Sequence, residues 1–140
     1  MTEVNNPTKI LVYSDDRTVR EQVRLALGRK VARDLPEIEV SEVATLPGLL
    51  KILDADSNYG LIILDGEARP GGFGISHQLR EEYADCPPVL LLVARSADGW
   101  LGTWSRAEAL APLPVDPVKL PQQVAQLLRD AAKTNQAPVN

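Results

Sequence analysis

The chain has 140 residues, 44% hydrophobic and 24% charged, with a formal net charge of −4. That is chain enough for one domain with its own core, and an acidic balance with no basic stripe argues against a nucleic-acid surface. A single cysteine, Cys86, excludes an internal disulfide framework and makes no zinc site with His77, and no apolar run reaches the roughly 20 residues of a membrane span.

Residues 1–7 are polar, lack an apolar signal core, and read as an N-terminal extension; a reducing cytoplasm is the expected location. Ile10–Tyr13 is a short apolar run that predicts a buried strand. Val19, Val23, Ala26 and Leu27 then fall on one helical stripe, with Gly28 and Arg29–Lys30 as stop signals. In 37-EIEVSEV-43, Ile38, Val40 and Val43 predict a half-exposed edge strand, and 46-LPGLLKILD-54 a helix opened near Pro47. A second buried strand, 61-LIIL-64, runs into Asp65 and the loop Pro70, Gly71, Gly72, Gly74, then into a helix carrying Ile75, Leu79 and Tyr83. After 86-CPP-88 comes another buried strand, 89-VLLLVA-94. Residues 97–108 read as a weak helix and 109-ALAPLP-114 as a short strand. Leu120, Val124, Leu127, Leu128 and Ala131 form the apolar face of a last helix, starting either at Pro117, capped by Asp116, or at Pro121. The unit spans residues 8–133, with 134–140 as a flexible tail.

Strand and helix alternate five times, and the central strands are apolar throughout. This predicts an α/β fold, a doubly wound five-stranded parallel sheet covered on both faces. In such sheets the working crevice lies beyond the carboxyl ends of the strands. Asp15, with Asp16 beside it, should there approach Asp65, because strands one and three are neighbours in this topology. Carboxylates brought together repel unless a cation neutralises them, and hard oxygen donors of this kind suit Mg²⁺. The same residues also serve as caps: Asp16 for the first helix, Asp65 for its own loop. Phosphate acceptor, metal ligand and cap all remain open at this point.

Over residues 8–132 the chain resembles the CheY-like receiver domain of response regulators. The segment 10-ILVYSDDRTVR-20 resembles the family's first strand and acidic turn, 61-LIILDGEARPGGFG-74 its phosphoacceptor loop, and 113-LPVDPVKL-120 the end of its fifth strand and the start of its last helix. The resemblance implies two-component signalling: phosphotransfer from a histidine kinase to an aspartate, Mg²⁺ at the acidic site, and output through the fourth-helix/fifth-strand face. Asp65 matches the phosphoacceptor. Asp15 matches an acidic metal ligand, and Glu67 the position that offers its backbone carbonyl to the metal. Ser14 stands where the family has its other acidic residue, a role Asp16 takes only if the backbone shifts by one. Val93 replaces the family's hydroxyl residue, with the expected small residue, Ala94, beside it. Leu113 replaces its lysine and Leu110 its aromatic switch residue. Pro70 and Gly74 arrive one place late, so this loop carries an insertion.

A phosphoryl group there would lose a cation at Leu113 and a hydroxyl donor at Val93. The expectation is therefore an atypical, stand-alone, non-enzymatic receiver that binds a partner protein independently of phosphorylation. The alternative is a conventional Mg²⁺-dependent receiver phosphorylated on Asp65. Trp100 and Trp104, one helical turn apart, read either as core or as the partner face. Arg17, Arg20, Arg24, Arg29, Lys30 and Arg33 read as a solvated surface or as a docking site for an acidic partner such as a kinase. His77 reads as a surface or satisfied histidine. Residues 71–74 lack the Lys–Ser/Thr of a phosphate-binding loop, and the acidic SDDRT turn argues against a flavodoxin. A dimer and a monomer are both compatible with the sequence.

Overall fold

The structure, a computed structural model, describes residues 6–56, 58–94 and 106–136. The described residues form nine elements: β1 (Thr8–Tyr13), α1 (Arg17–Leu27), β2 (Ile38–Val43), α2 (Leu46–Ala55), β3 (Leu61–Asp65), α3 (Gly72–Glu82), β4 (Val89–Val93), β5 (Ala109–Pro112) and α4 (Lys119–Gln136). All strand pairs are parallel, in the order β2-β1-β3-β4-β5. The predicted doubly wound sheet is present, and β2 takes the edge its half-polar pattern demanded.

Alternation along each strand sorts side chains between two cores. Ile10, Val12, Leu61, Ile63, Leu90, Leu92 and Ala111 face α1 and α4, where Val23, Leu27, Leu120, Val124, Leu127 and Leu128 meet them. Leu11, Tyr13, Ile62, Leu64, Val89, Leu91 and Val93 face α2 and α3, against Leu49, Leu53, Ile75 and Leu79. Both faces of β3 and β4 are buried, which is why these strands are unbroken apolar runs.

The helices begin and end on identifiable chemistry. Asp16 caps α1, its Oδ1 accepting the Thr18 N–H at 2.8 Å. Gly28, at φ +61°, closes the same helix by donating its N–H to the Arg24 carbonyl. Thr45 caps α2 through the Gly48 N–H at 3.1 Å, with Pro47 in the first turn.

Four boundaries differ from expectation. The last helix starts at Lys119, between the two predicted starts, because Asp116 Oδ1 accepts the N–H groups of both Val118 and Lys119 at 2.9 Å. Pro121 then sits in the first turn, where its missing N–H has no intrahelical partner to lose. That helix continues through Gln136, past the expected start of the tail. The fifth strand ends at Pro112, level with Val93 at the end of β4. α3 ends at Glu82, so Tyr83 is its C-cap, and it still packs against the core that Ile75 and Leu79 join.

Of the expected weak helix over 97–108, residues 106–108 are described and are not helical; Arg106 has φ +64°. Trp100 and Trp104 lie outside the described residues. Among the described residues no helix is long and apolar enough to cross a membrane.

Candidate functional site

The site forms where β1 and β3 end side by side. Tyr13 pairs with Leu64, so the next residues, Ser14 and Asp65, arrive at the same level. Asp65 is the last residue of β3 and is only 2% exposed, while Ser14 is fully buried. Ser14 Oγ donates to Asp65 Oδ2 at 2.7 Å and accepts the Asp16 N–H at 3.0 Å. The Glu67 N–H donates to Asp65 Oδ1 at 2.8 Å. Each oxygen of the buried carboxylate therefore has a donor from the fold itself, as a buried charge requires.

The neighbouring acidic residues turn outward to other tasks. Asp15 is exposed, and its Oδ2 accepts the Arg69 N–H at 3.1 Å. Asp16 caps α1. Glu67, expected to act through its carbonyl, holds Asp65 through its N–H, and its carboxylate comes within 3.5 Å of the Ala94 nitrogen. At that length the contact is electrostatic more than a formed hydrogen bond. Among the described residues, no three or more His, Cys, Asp or Glu side chains are grouped so as to hold a metal ion. Tested against a divalent cation, the pocket offers two carboxylates, Asp15 and Asp65. The third position holds a hydroxyl that spends its proton on one of them. Mg²⁺ keeps several waters and is held by one or two carboxylates, so Asp15 and Asp65 are donors of the right kind, with one carboxylate fewer than the family pattern.

Two residues of the site escaped the sequence reading. Tyr13 is fully buried, and its Oη donates to the Pro70 carbonyl at 2.6 Å. Burial, with Asp15 and Asp65 nearby, pushes its phenol up, so it remains a donor. Arg20 Nη1 donates to the Ser14 carbonyl at 2.6 Å, while its Nε reaches Glu42 Oε1 at 3.2 Å. Arg24 shares the other oxygen of Glu42 at 3.3 Å. In the sequence Arg20 reads as one charge among several on a helix, and nothing there sets it apart. Tyr13 reads as core, because its ring is core.

Close approach seals the loop after Asp65. A Cβ on Gly66 would lie 2.7 Å from both the Leu92 carbonyl and the Phe73 ring, and one on Gly72 would lie 2.9 Å from the Asp65 carbonyl. The Arg69–Pro70 and Leu113–Pro114 peptides are cis. The three substituted positions all pack inward. Val93 and Leu110 join the α2/α3-side core, and Leu113 packs against the α1/α4-side core. Leu113 donates its N–H to the Val93 carbonyl at 2.8 Å, and Gln123 Nε2 reaches the Leu110 carbonyl at 2.9 Å.

No family model matches the chain. It is 48% identical over 133 residues to an uncharacterised response regulatory protein of Mycobacterium tuberculosis, found in two strains, covering 94% of this chain and 99% of the relative. Among solved structures, the signal receiver domain of a candidate LuxO repressor from Vibrio parahaemolyticus superposes with a TM-score of 0.78 at 17% identity, covering 96% of this chain and 100% of that one. A CheY-like receiver domain protein from Methanospirillum hungatei gives 0.71 at 16% identity, over 92% and 99%. At such identities these two share the fold alone.

Proposed function

Because this chain belongs to the response-regulator family and carries its CheY-like receiver domain, we propose that it is an atypical member, a cytoplasmic protein-interaction module that works without phosphorylation of Asp65. Receiver domains are signalling modules of two-component systems, and the part assigned to this one is to bind a partner protein. The observation that carries the proposal is the state of Asp65: 2% exposed, with Oδ2 held by Ser14 and Oδ1 by Glu67.

Phosphorylating that carboxylate would add close to two negative charges at neutral pH. Such charge is normally offset by positioned cations and donors, and most of the catalysis of phosphoryl transfer lies in that electrostatic support. Here Leu113 and Val93 are apolar and built into the two cores. Ser14 supplies a hydrogen bond where a further carboxylate would have bound metal. With Ser14 in place of an acidic residue the pocket offers Mg²⁺ one carboxylate fewer than the family pattern, and the proposed role needs no metal. The partner face assigned to this role includes Trp100 and Trp104.

A second reading is favoured by one observation: Asp65 and Asp15 do stand at the carboxyl ends of adjacent strands. It is a conventional receiver with Asp65 as phosphoacceptor and Asp15, Asp65 and the Glu67 carbonyl as the Mg²⁺ ligands. Its natural partner would be a histidine kinase.

Intact mass after incubation with acetyl phosphate and Mg²⁺ separates the two readings. The proposal expects no phosphoryl gain; a base-labile gain that disappears in Asp65→Asn would establish the conventional one. Capture of cytosolic proteins by the wild type and by Trp100→Ala/Trp104→Ala tests the partner face, and undiminished capture would reject it.

A further inference from the structure

The acidic residue that the family resemblance gives to a metal is bonded to a loop instead. We propose that Asp15 and Tyr13 are clasp residues that fasten the β3–α3 loop over Asp65 and keep its carboxylate from solvent. The inference rests on the reading of Asp65 as an unused acceptor and gives its cause.

The two fastenings fall on consecutive residues of the loop. Asp15 Oδ2 takes the Arg69 N–H at 3.1 Å, and Tyr13 Oη donates to the Pro70 carbonyl at 2.6 Å. Both anchors project from the end of β1, more than fifty residues earlier in the chain, so the loop is tied across the sheet rather than to itself. β1 is paired on both sides, with β2 and β3, which makes its end a rigid post. Inside the loop, Ala68 is 5% exposed and donates its N–H to the Asp65 carbonyl at 3.2 Å. Gly66 and Gly72 leave no room for a Cβ between the loop and the strand ends. Asp65, from which this strap departs, is only 2% exposed.

Two bonds of unequal protection hold the strap. The Tyr13 bond is partly buried and comes from a fully buried side chain. The Asp15 bond is exposed, so it competes with water and is the weaker of the two. Local opening of such a segment is governed by the few bonds it breaks, not by global stability.

The test measures how fast a water-soluble carbodiimide with glycine methyl ester modifies Asp65, located by fragment masses, alongside hydrogen exchange at the Arg69 amide. Variants are Tyr13→Phe, which keeps the ring and removes one hydroxyl, Asp15→Ala, which alters an exposed side chain, and the pair combined. Each lost bond should multiply local opening several-fold, so the double variant should be modified about tenfold faster or more. Asp15→Ala alone should show a smaller rise, with faster Arg69 exchange. Asp65 modification unchanged from wild type in Asp15→Ala and in the folded double variant would overturn the clasp. So would unchanged Arg69 exchange in Asp15→Ala. The outcome is a ratio between variant and wild type. Acyl-phosphate formation by the wild type would defeat the phosphate-independent function while leaving that ratio to decide the clasp.

Discussion

A hydroxyl 2.7 Å from Asp65 Oδ2 supplies one proton in one direction and no charge. Removing it in Ser14→Ala leaves a buried carboxylate oxygen without that donor, a loss of about 1–3 kcal/mol that urea unfolding would measure. Ser14→Asp acts differently, because two carboxylates at that spacing cannot both ionise cheaply. That variant should be less stable than wild type at neutral pH and should regain melting temperature with millimolar Mg²⁺, while the wild type stays indifferent to the ion. An unresponsive variant would mean that the pocket cannot be rebuilt by one residue. At this scale the sequence was legible where an apolar run ended on a charge, as at Asp65. It was not legible where the outcome depended on aim. Asp15 and Asp16 are adjacent and identical, yet one ties a loop and the other caps a helix. That division is set by backbone direction after β1.

The elements hold together through contacts that periodicity does not encode. Asp34, in the connection between α1 and β2, accepts two hydrogen bonds from Arg129 of α4 at 2.8 and 2.9 Å. That pairing holds the Asp34 carboxyl down to about 2 from its ordinary 3.8. A depressed carboxylate adds stability above its unfolded pKa and loses it as pH falls through the folded one. The pair should therefore contribute from about pH 4 upward and fade toward about pH 2. Acid unfolding of Asp34→Asn should lack that part of the pH dependence, by a small amount because the pair is exposed. Gly72→Ala tests a different joint: its Cβ would meet the Asp65 carbonyl and the Leu64 Cβ at 2.9 Å. Backbone has little room to give, so a loss of about 1–3 kcal/mol is expected in the same unfolding measurement. Element types and order could be read because apolar stripes and buried runs are long-range demands of the core. Boundaries such as the start of α4 could not, since a single side chain, Asp116, decides them by reaching two amides.

For the whole molecule, the parallel sheet follows from strands buried on both faces, and the sheet alone brings Asp15, Ser14 and Asp65 to one edge. Convergence could thus be foreseen from strand order, but its chemistry could not. The loop after Asp65, where the family resemblance implies one extra residue, is the one Tyr13 and Asp15 hold. In a phosphorylation-driven receiver the charge at the acceptor must be felt at the ends of β4 and β5. Here β4 ends on Val93 and β5 is followed by Leu113, and the two pack with the cores on opposite faces of the sheet. Amide ¹H–¹⁵N spectra of the full chain, recorded with and without Mg²⁺ and beryllofluoride as a phosphoryl mimic, test this most directly. Superimposable spectra are expected. Saturable shifts at Asp65, Ala94 and Leu113 that vanish in Asp65→Asn would contradict it.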